Sequence, residues 1–501
     1  MVYTIKPVLS TGTATWLQRP TVLLAALALS GCMSLAPDYE VPPSPIPAQW
    51  PVDAQSDQNL NASIAASLPW QSYFTDPQLQ QLIQVALENN RDLRLAILRM
   101  EEAQAAFRIQ RADQLPTVTV GGQGARGRVP ADLSPTGQSR VGSEYRAEVG
   151  FNSWEIDLWG RVRNLKDAAL QRWLATEAAQ QAVRVALIAQ VADGYFQLRG
   201  LDEREALAKR TVETREKSYR IFKRRYEEGA TSRLDLTQVE TLLHQAQALH
   251  VSLQQARAAQ WHALYQLVGT DISLPESLPP LDTQHAMVAL TPGLPSDLLL
   301  NRPDIMAAEH QLQAANADIG AARAAFLPRI ALTSSVGTAS AELDDLFSSG
   351  SRAWTFVPVI SLPIFDTGRR QANLDIAEVR HSMQVAEYEK AIQTAFREVS
   401  DALSAQYWLG EQLIIQRNAQ QAQAERARLA QLRYDNGSAA YLEVLDAERD
   451  LLAAGQQLVQ VRYELLASQV SLYAALGGGT QQSKEEAKAA SASENVASQR
   501  E

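Results

Sequence analysis

The chain has 501 residues and a single cysteine, Cys32, so no disulfide can close within it. Its net charge is −10, which excludes a broad basic surface of the kind that binds nucleic acid. Hydrophobic residues make up 46 % of it, but prolines are missing between Pro135 and Pro275 and again after Pro363, which points to long helices rather than two or three ordinary domains.

Residues 1–31 have the pattern of a secretory signal. Lys6 and Arg19 precede the apolar run Val22 to Leu29, which is too short to span a bilayer as a helix. The run ends in Leu29-Ser30-Gly31-Cys32, which resembles a bacterial lipobox. That resemblance implies cleavage before Cys32 and a covalent lipid there, diacylglycerol on the thiol and an acyl chain on the new amino terminus. Met33, rather than aspartate, follows the cysteine, as in lipoproteins sent to the outer membrane. Residues 32–75, with six prolines between 37 and 51, are expected to form an extended tether.

A helix is expected from Asp76 to about Gln114. Asp76-Pro77 supplies a cap and a first-turn proline, Leu79, Leu82, Ile83, Ala86 and Leu87 share a face, and Leu115-Pro116 ends the run. The period then changes to two. Val118 and Val120 alternate with threonines, and Tyr145, Ala147, Val149 and Phe151 alternate with Arg146, Glu148, Gly150 and Asn152. Two strands follow from this, each about as long as a membrane-crossing strand, ~9–11 residues. A helix from about Arg161 to Glu228 comes next and would extend roughly 100 Å at ~1.5 Å per residue. After Gly229 a return helix carries Val239, Leu242, Ala246, Leu249, Leu253 and Ala256 at coiled-coil spacing.

Residues 275–300 form a proline-rich connector, and residues 301–476 repeat the order of 76–274. A helix opens at Asn301-Arg302-Pro303. Strands follow around Ile330–Val336 and Ala353–Leu362, where Pro358 argues against an ordinary central strand. The second long helix, from about Arg369, ends in Arg433-Tyr434-Asp435-Asn436-Gly437, 208 residues after Arg225-Tyr226-Glu227-Glu228-Gly229. Its return helix carries Leu451, Ala454, Leu458, Val461, Leu465, Ser468, Leu472 and Ala475. Both closing glycines, Gly229 and Gly437, suit left-handed helix ends. Glu443 and Asp446, three residues apart, share one face of the second return helix. Residues 477–501 are polar and expected to be disordered.

No enzyme signature is present: there is no glycine-rich phosphate loop, and Ser30-Gly31-Cys32 is a processing signal. The six histidines, His244, His250 and His262 among them, show no metal-ligand spacing, so neither metal nor cofactor is expected. The charge run Lys209 to Lys217 is expected to be a solvated helix face.

These pieces resemble the outer-membrane factor family, the TolC-like channels, and within it the NodT/OprM lipoprotein branch. The resemblance rests on the lipobox, on Trp154-Glu155-Ile156-Asp157-Leu158-Trp159-Gly160-Arg161, on Arg302-Pro303-Asp304-Ile305 with Ala307-Ala308-Glu309, on Ala321 to Pro328, and on the two Arg-Tyr-x-x-Gly turns. It covers about residues 37–476. It implies a mainly α protein with a membrane β-barrel: a homotrimer in which each protomer gives four strands to one twelve-stranded barrel, continued by a periplasmic α-helical barrel. Its location would be the outer membrane, and its role that of a passive exit duct. Its partners would be a periplasmic adaptor and an inner-membrane pump, commonly of the resistance-nodulation-division type. The turns at Gly229 and Gly437 would meet the adaptor, Glu443 and Asp446 would line the constriction, and Asp235, Tyr434 and Arg462 would belong to a latch between coils. One latch position departs, since the family's arginine two residues after the glycine is Ala439 here. A rival reading, a coiled-coil adaptor lipoprotein without a pore, explains the hairpins but not the paired strands in each half.

Overall fold

The computed structural model describes residues 34–50, 63–274 and 286–480. The expected signal, Cys32, part of the tether, residues 275–285 of the connector and residues 481–501 of the expected tail lie outside the described residues. The first half runs β1 (Ser63–Ile64), α1 (Trp70–Tyr73), α2 (Pro77–Asn89), α3 (Arg91–Ala112), β2 (Val118–Val129), β3 (Arg140–Glu155), α4 (Arg161–Glu227) and α5 (Arg233–Val268). The second runs β4 (Leu290–Thr291), α6 (Leu298–Asn301), α7 (Pro303–Ala324), β5 (Arg329–Ser340), β6 (Arg352–Ser361), α8 (Arg369–Asp435) and α9 (Tyr441–Ala475).

The expected single helix over 76–114 is two helices. Asp76 accepts from the Gln78 amide and opens α2, but the chain leaves helical backbone at Asn90 (ψ 132°). The buried Asn90 side chain explains the break. Its Oδ1 accepts from the Leu93 amide at 2.8 Å and caps α3, while its Nδ2 donates to the Leu267 carbonyl at the end of α5. Gly269 follows α5 in left-handed conformation (φ +77°), and a Cβ there would strike the Asn89 carbonyl. Gly477 after α9 (φ +74°) meets the Asn301 carbonyl in the same way. The duplication therefore extends to the joints.

Packing divides the chain into two compact units, and neither is a single repeat. The repeats are units of sequence, because β3 of the first pairs with β5 of the second.

One unit takes residues up to 41, 103–173 and 310–385. Its centre is an antiparallel sheet of order β2-β3-β5-β6. The register places Val118, Val120, Val149, Phe151, Val336, Trp354, Phe356 and Ile360 on one face. Gln123, Glu144, Arg146, Glu148, Ser335 and Thr355 lie on the other, where the Ser335 hydroxyl donates to Glu148 at 2.7 Å. The apolar face is open: Val120 and Trp354 are 82 % and 73 % exposed. Side chains added at Gly150 or Gly337 would run into the neighbouring strand's backbone, so these glycines allow β3 and β5 to approach. Pro358 does lie within a strand, and β6 is an edge of the sheet. Asp157 and Asp366 accept from the amides of Arg163 and Arg370 and secure the starts of α4 and α8. Part of the expected tether is held here: Ser34 donates to Asn164, and Asn316 donates to the Pro37 carbonyl.

The other unit takes residues 42–102, 174–309 and 386 onward. It holds most of α4, α5, α8 and α9. Trp50 of the tether stacks on Phe396 and donates to the Gly293 carbonyl. The heptad seam of α9 is buried from Val461 onward, and a second face, Val459, Leu466, Val470 and Tyr473, is buried too. Order extends past the expected boundary at 476. Thr480 is buried and its hydroxyl donates to the Asn301 carbonyl at 3.0 Å, which holds residues 477–480 in place.

Candidate pore gate at the hairpin tips

Both long helices end in one backbone motif. After α4 the Ala230 amide donates to the Arg225 carbonyl and Gly229 takes φ +73°. After α8 the Ser438 amide donates to the Arg433 carbonyl and Gly437 takes φ +70°. This six-to-one closure around a left-handed glycine satisfies the last free carbonyls of a helix. Nothing lies within 4 Å of the Cβ position of either glycine, so both tips are open surface.

The return helices begin differently. Ser232 caps α5, and its hydroxyl accepts from the Asp235 amide at 3.1 Å. Asp235 in turn accepts from the Ser232 amide and hydroxyl and from the Thr231 hydroxyl. This is a complete capping box. Those hydrogen bonds hold the Asp235 carboxyl below the usual aspartate range. Ala440 occupies the cap of α9 and offers no side-chain acceptor. Glu443, at the position matching Asp235, turns instead to Arg433, whose Nη1 donates to it at 2.8 Å. Asp446 pairs with Arg449 at 3.2 Å, Arg449 also holds Asp450 at 3.0 Å, and Asp450 accepts from Arg426 at 2.6 Å. The expected pair of bare acids is thus part of a ladder with three arginines on the exposed surface of the second hairpin.

The expected latch residues are not brought together within one protomer. Asp235 is engaged in its own cap. Tyr434 accepts from Arg225 Nη1 at 2.7 Å and packs against Tyr441, which packs against Phe222. Arg462 lies 21 residues along α9 from Tyr441, about 30 Å of helix, and pairs with Glu203 of α4 at 2.8 Å. It belongs to a ladder that joins α9 to α4. There Tyr463 donates to Asp193 at 3.2 Å, and Arg204 donates to Gln456 and Gln460 at 2.8 and 3.0 Å. Arg215 donates to the Leu445 carbonyl at 3.1 Å and approaches Glu448 at 3.3 Å.

Sequence reasoning missed Arg215 by placing it on a solvated face. It is 2 % exposed, because α9 covers that side of α4. Burial raises the Glu448 carboxyl beside it, and the arginine charge offsets part of that rise. Arg433 and Arg449 were also missed, although the replacement of Ser232 by Ala440 in matching positions was a legible sign that the second tip needed another partner. Among the described residues no cluster of metal-ligand side chains occurs. No described helix is long and apolar enough to cross a membrane.

The profile of outer membrane efflux proteins matches residues 82–270 and 294–478. The chain belongs to the outer membrane efflux protein family. Among its relatives, the solvent efflux pump outer membrane protein SrpC of Pseudomonas putida is 47 % identical over 91 % of this chain and 97 % of its own. A membrane protein of Pseudomonas aeruginosa superposes with TM-score 0.82 at 41 % identity, covering 89 % of this chain and all of that one. The open state of the MtrE outer membrane channel of Neisseria gonorrhoeae gives TM-score 0.80 at 39 % identity, covering 89 % and 99 %. As a member of this efflux family, the chain is an outer-membrane component of an efflux pump that extends into the periplasm, and its fold is that of the TolC-like channels. The adaptor without a pore is set aside by the same findings.

Proposed function

We propose that three copies of this chain form the passive exit duct of a tripartite efflux system, and that the duct is closed at rest by the tip of the second hairpin. The observation that carries the reading is the four-stranded sheet. Its faces are sorted into apolar and polar, and among the described residues neither of its edges is paired. A bilayer tolerates no open sheet edge, and four strands are too few to close around a lumen. Three copies close twelve strands, with the apolar face toward lipid and Gln123, Arg146 and Glu148 toward water.

Energy and docking then come from an inner-membrane pump, of the resistance-nodulation-division type, and a periplasmic adaptor that meets the tips at Gly229 and Gly437. The chain itself carries no catalysis and needs no cofactor beyond the lipid at Cys32. Small toxic compounds are the cargo class, in keeping with relatives named for solvent and antibiotic efflux. At the tips, three copies of Glu443 and Asp446 ring the axis, with Arg433 and Arg449 as tethered counter-ions. Divalent cations compete with these arginines for the carboxylates. Tyr434 and Arg462 tie the coils together at separate positions, through Arg225 and Glu203, while Asp235 fixes the start of α5.

Purified protein should migrate as a heat-modifiable trimer and conduct in planar bilayers. Protein that runs only as a monomer and does not conduct contradicts the reading. Mass spectrometry of the mature protein should find Cys32 at the amino terminus and acylated; a start elsewhere removes the lipid from the account.

A further inference from the structure

The backbone register of the sheet fixes which atoms its two open edges present. Ala339 faces Ser351, and the Ala339 amide donates to the Ser351 carbonyl at 2.8 Å. In an antiparallel ladder bonded and non-bonded pairs alternate, so odd-numbered β5 residues bond to β6. Pro358 faces Leu332, an even position, and its nitrogen therefore points away from β5 toward the open edge. The even residues of β5 bond toward β3, as the Ile156 amide does to the Ile330 carbonyl. Carrying the alternation across β3 leaves Val118, Val120, Gly122 and Gly124 with their backbone groups on the open edge of β2.

The residues that open both edges lie on the apolar face: Val118 and Val120 on β2, Trp354, Phe356 and Ile360 on β6. Opposite residues in a bonded pair point to the same side of a sheet. The two edges are thus in phase, and joining them keeps the faces sorted. A three-stranded unit would be out of phase. Within this matched pair of edges, one donor is missing, at Pro358.

The barrel proposed above joins β6 of one copy to β2 of the next, and we propose that Pro358 is a deliberate weak point of that seam which guards the β6 edge of unassembled protomers against indiscriminate strand pairing. Proline on an open edge is a known guard of this kind, because it interrupts the row of donors that another strand would use. The inference rests on the three-copy barrel proposed above.

The test compares Pro358→Val, Phe356→Pro and Val357→Pro with the wild-type full chain in detergent. Crosslinking of the wild type comes first, and failure to find a trimer overturns the barrel reading itself. Given a trimer, Pro358→Val gains a seam hydrogen bond. Its heat-induced dissociation should move to higher temperature, and the rate at fixed temperature should fall about fivefold or more, as one hydrogen bond of ordinary net strength implies. Refolding from urea should yield more large aggregates. Phe356→Pro removes a second donor from the same edge and should lower the dissociation temperature of a trimer that still forms. Val357→Pro removes a ladder bond to β5 and should abolish the folded protomer. An unchanged transition in Pro358→Val, or Phe356→Pro and Val357→Pro behaving alike, overturns the seam assignment while leaving the trimer standing.

Discussion

At the first hairpin tip Ser232 and Asp235 complete a capping box, and 208 residues later the same positions hold Ala440 and Glu443. The turns that precede them have the same hydrogen bonds and the same left-handed glycine. Losing two hydroxyls, those of Thr231 and Ser232 where the second tip has Ala439 and Ala440, changes what the neighbouring acid does. Asp235 is consumed by its own helix terminus, while Glu443 is left to pair with Arg433 across the turn at 2.8 Å. A duplicated motif has thus been divided between a tip whose acid is held in its own cap and a tip whose acids pair with exposed arginines. That division is why the gate is assigned to the second hairpin.

The largest effect should come from the glycines. Valine at Gly229 or Gly437 forces a β-branched residue into left-handed backbone, at about 2 kcal/mol or more at either tip. Calorimetry should show similar losses for both. Both should weaken adaptor capture while the trimer persists, but only Gly437→Val should also alter resting conductance. An equal change of conductance at both tips would erase the contrast.

Removing the box by Ser232→Ala should cost about 1 kcal/mol and speed hydrogen exchange in the first turn of α5. The reciprocal change, Ala440→Ser, should gain somewhat less than about 1 kcal/mol by completing a serine–glutamate box. It should also draw Glu443 away from Arg433 and weaken divalent block. Unaltered block in Ala440→Ser would mean that the missing hydroxyl does not direct Glu443.

The smallest effect is a pH dependence. Hydrogen bonds lower the Asp235 carboxyl in the folded chain, so its contribution is present above the ordinary carboxylate range. It is lost as pH falls through the lower folded value, from about pH 4 downward. Acid should loosen the start of α5 before that of α9, and Asp235→Asn should remove the difference.

Much of this was legible in the sequence. The 208-residue offset, the change from period two to helical runs, and the proline-free stretches give the order of elements and the four strands, while their union within one barrel was implied by the resemblance. What was not legible depends on residues far apart in the chain. Asn90 breaks an apparently continuous helix because its amide reaches Leu267, and Arg215 leaves an expected solvated face because α9 covers it. The resemblance assigned Asp235, Tyr434 and Arg462 to a latch between coils, but the partner each one takes, such as Glu203 for Arg462, was not legible. The acids of the second tip could be named from spacing and resemblance, whereas their pairing with Arg433 and Arg449 needed the turn geometry that brings those side chains alongside.

Single-channel recording of the reconstituted trimer tests the central claim most directly. Divalent cations added on the periplasmic side should block the wild type. The same block should persist in Asp235→Asn, whose acid belongs to the self-satisfied tip, and disappear in Glu443→Gln with Asp446→Asn. Block that survives in the double variant, or that is lost in Asp235→Asn, would contradict the assignment of the gate to the second hairpin.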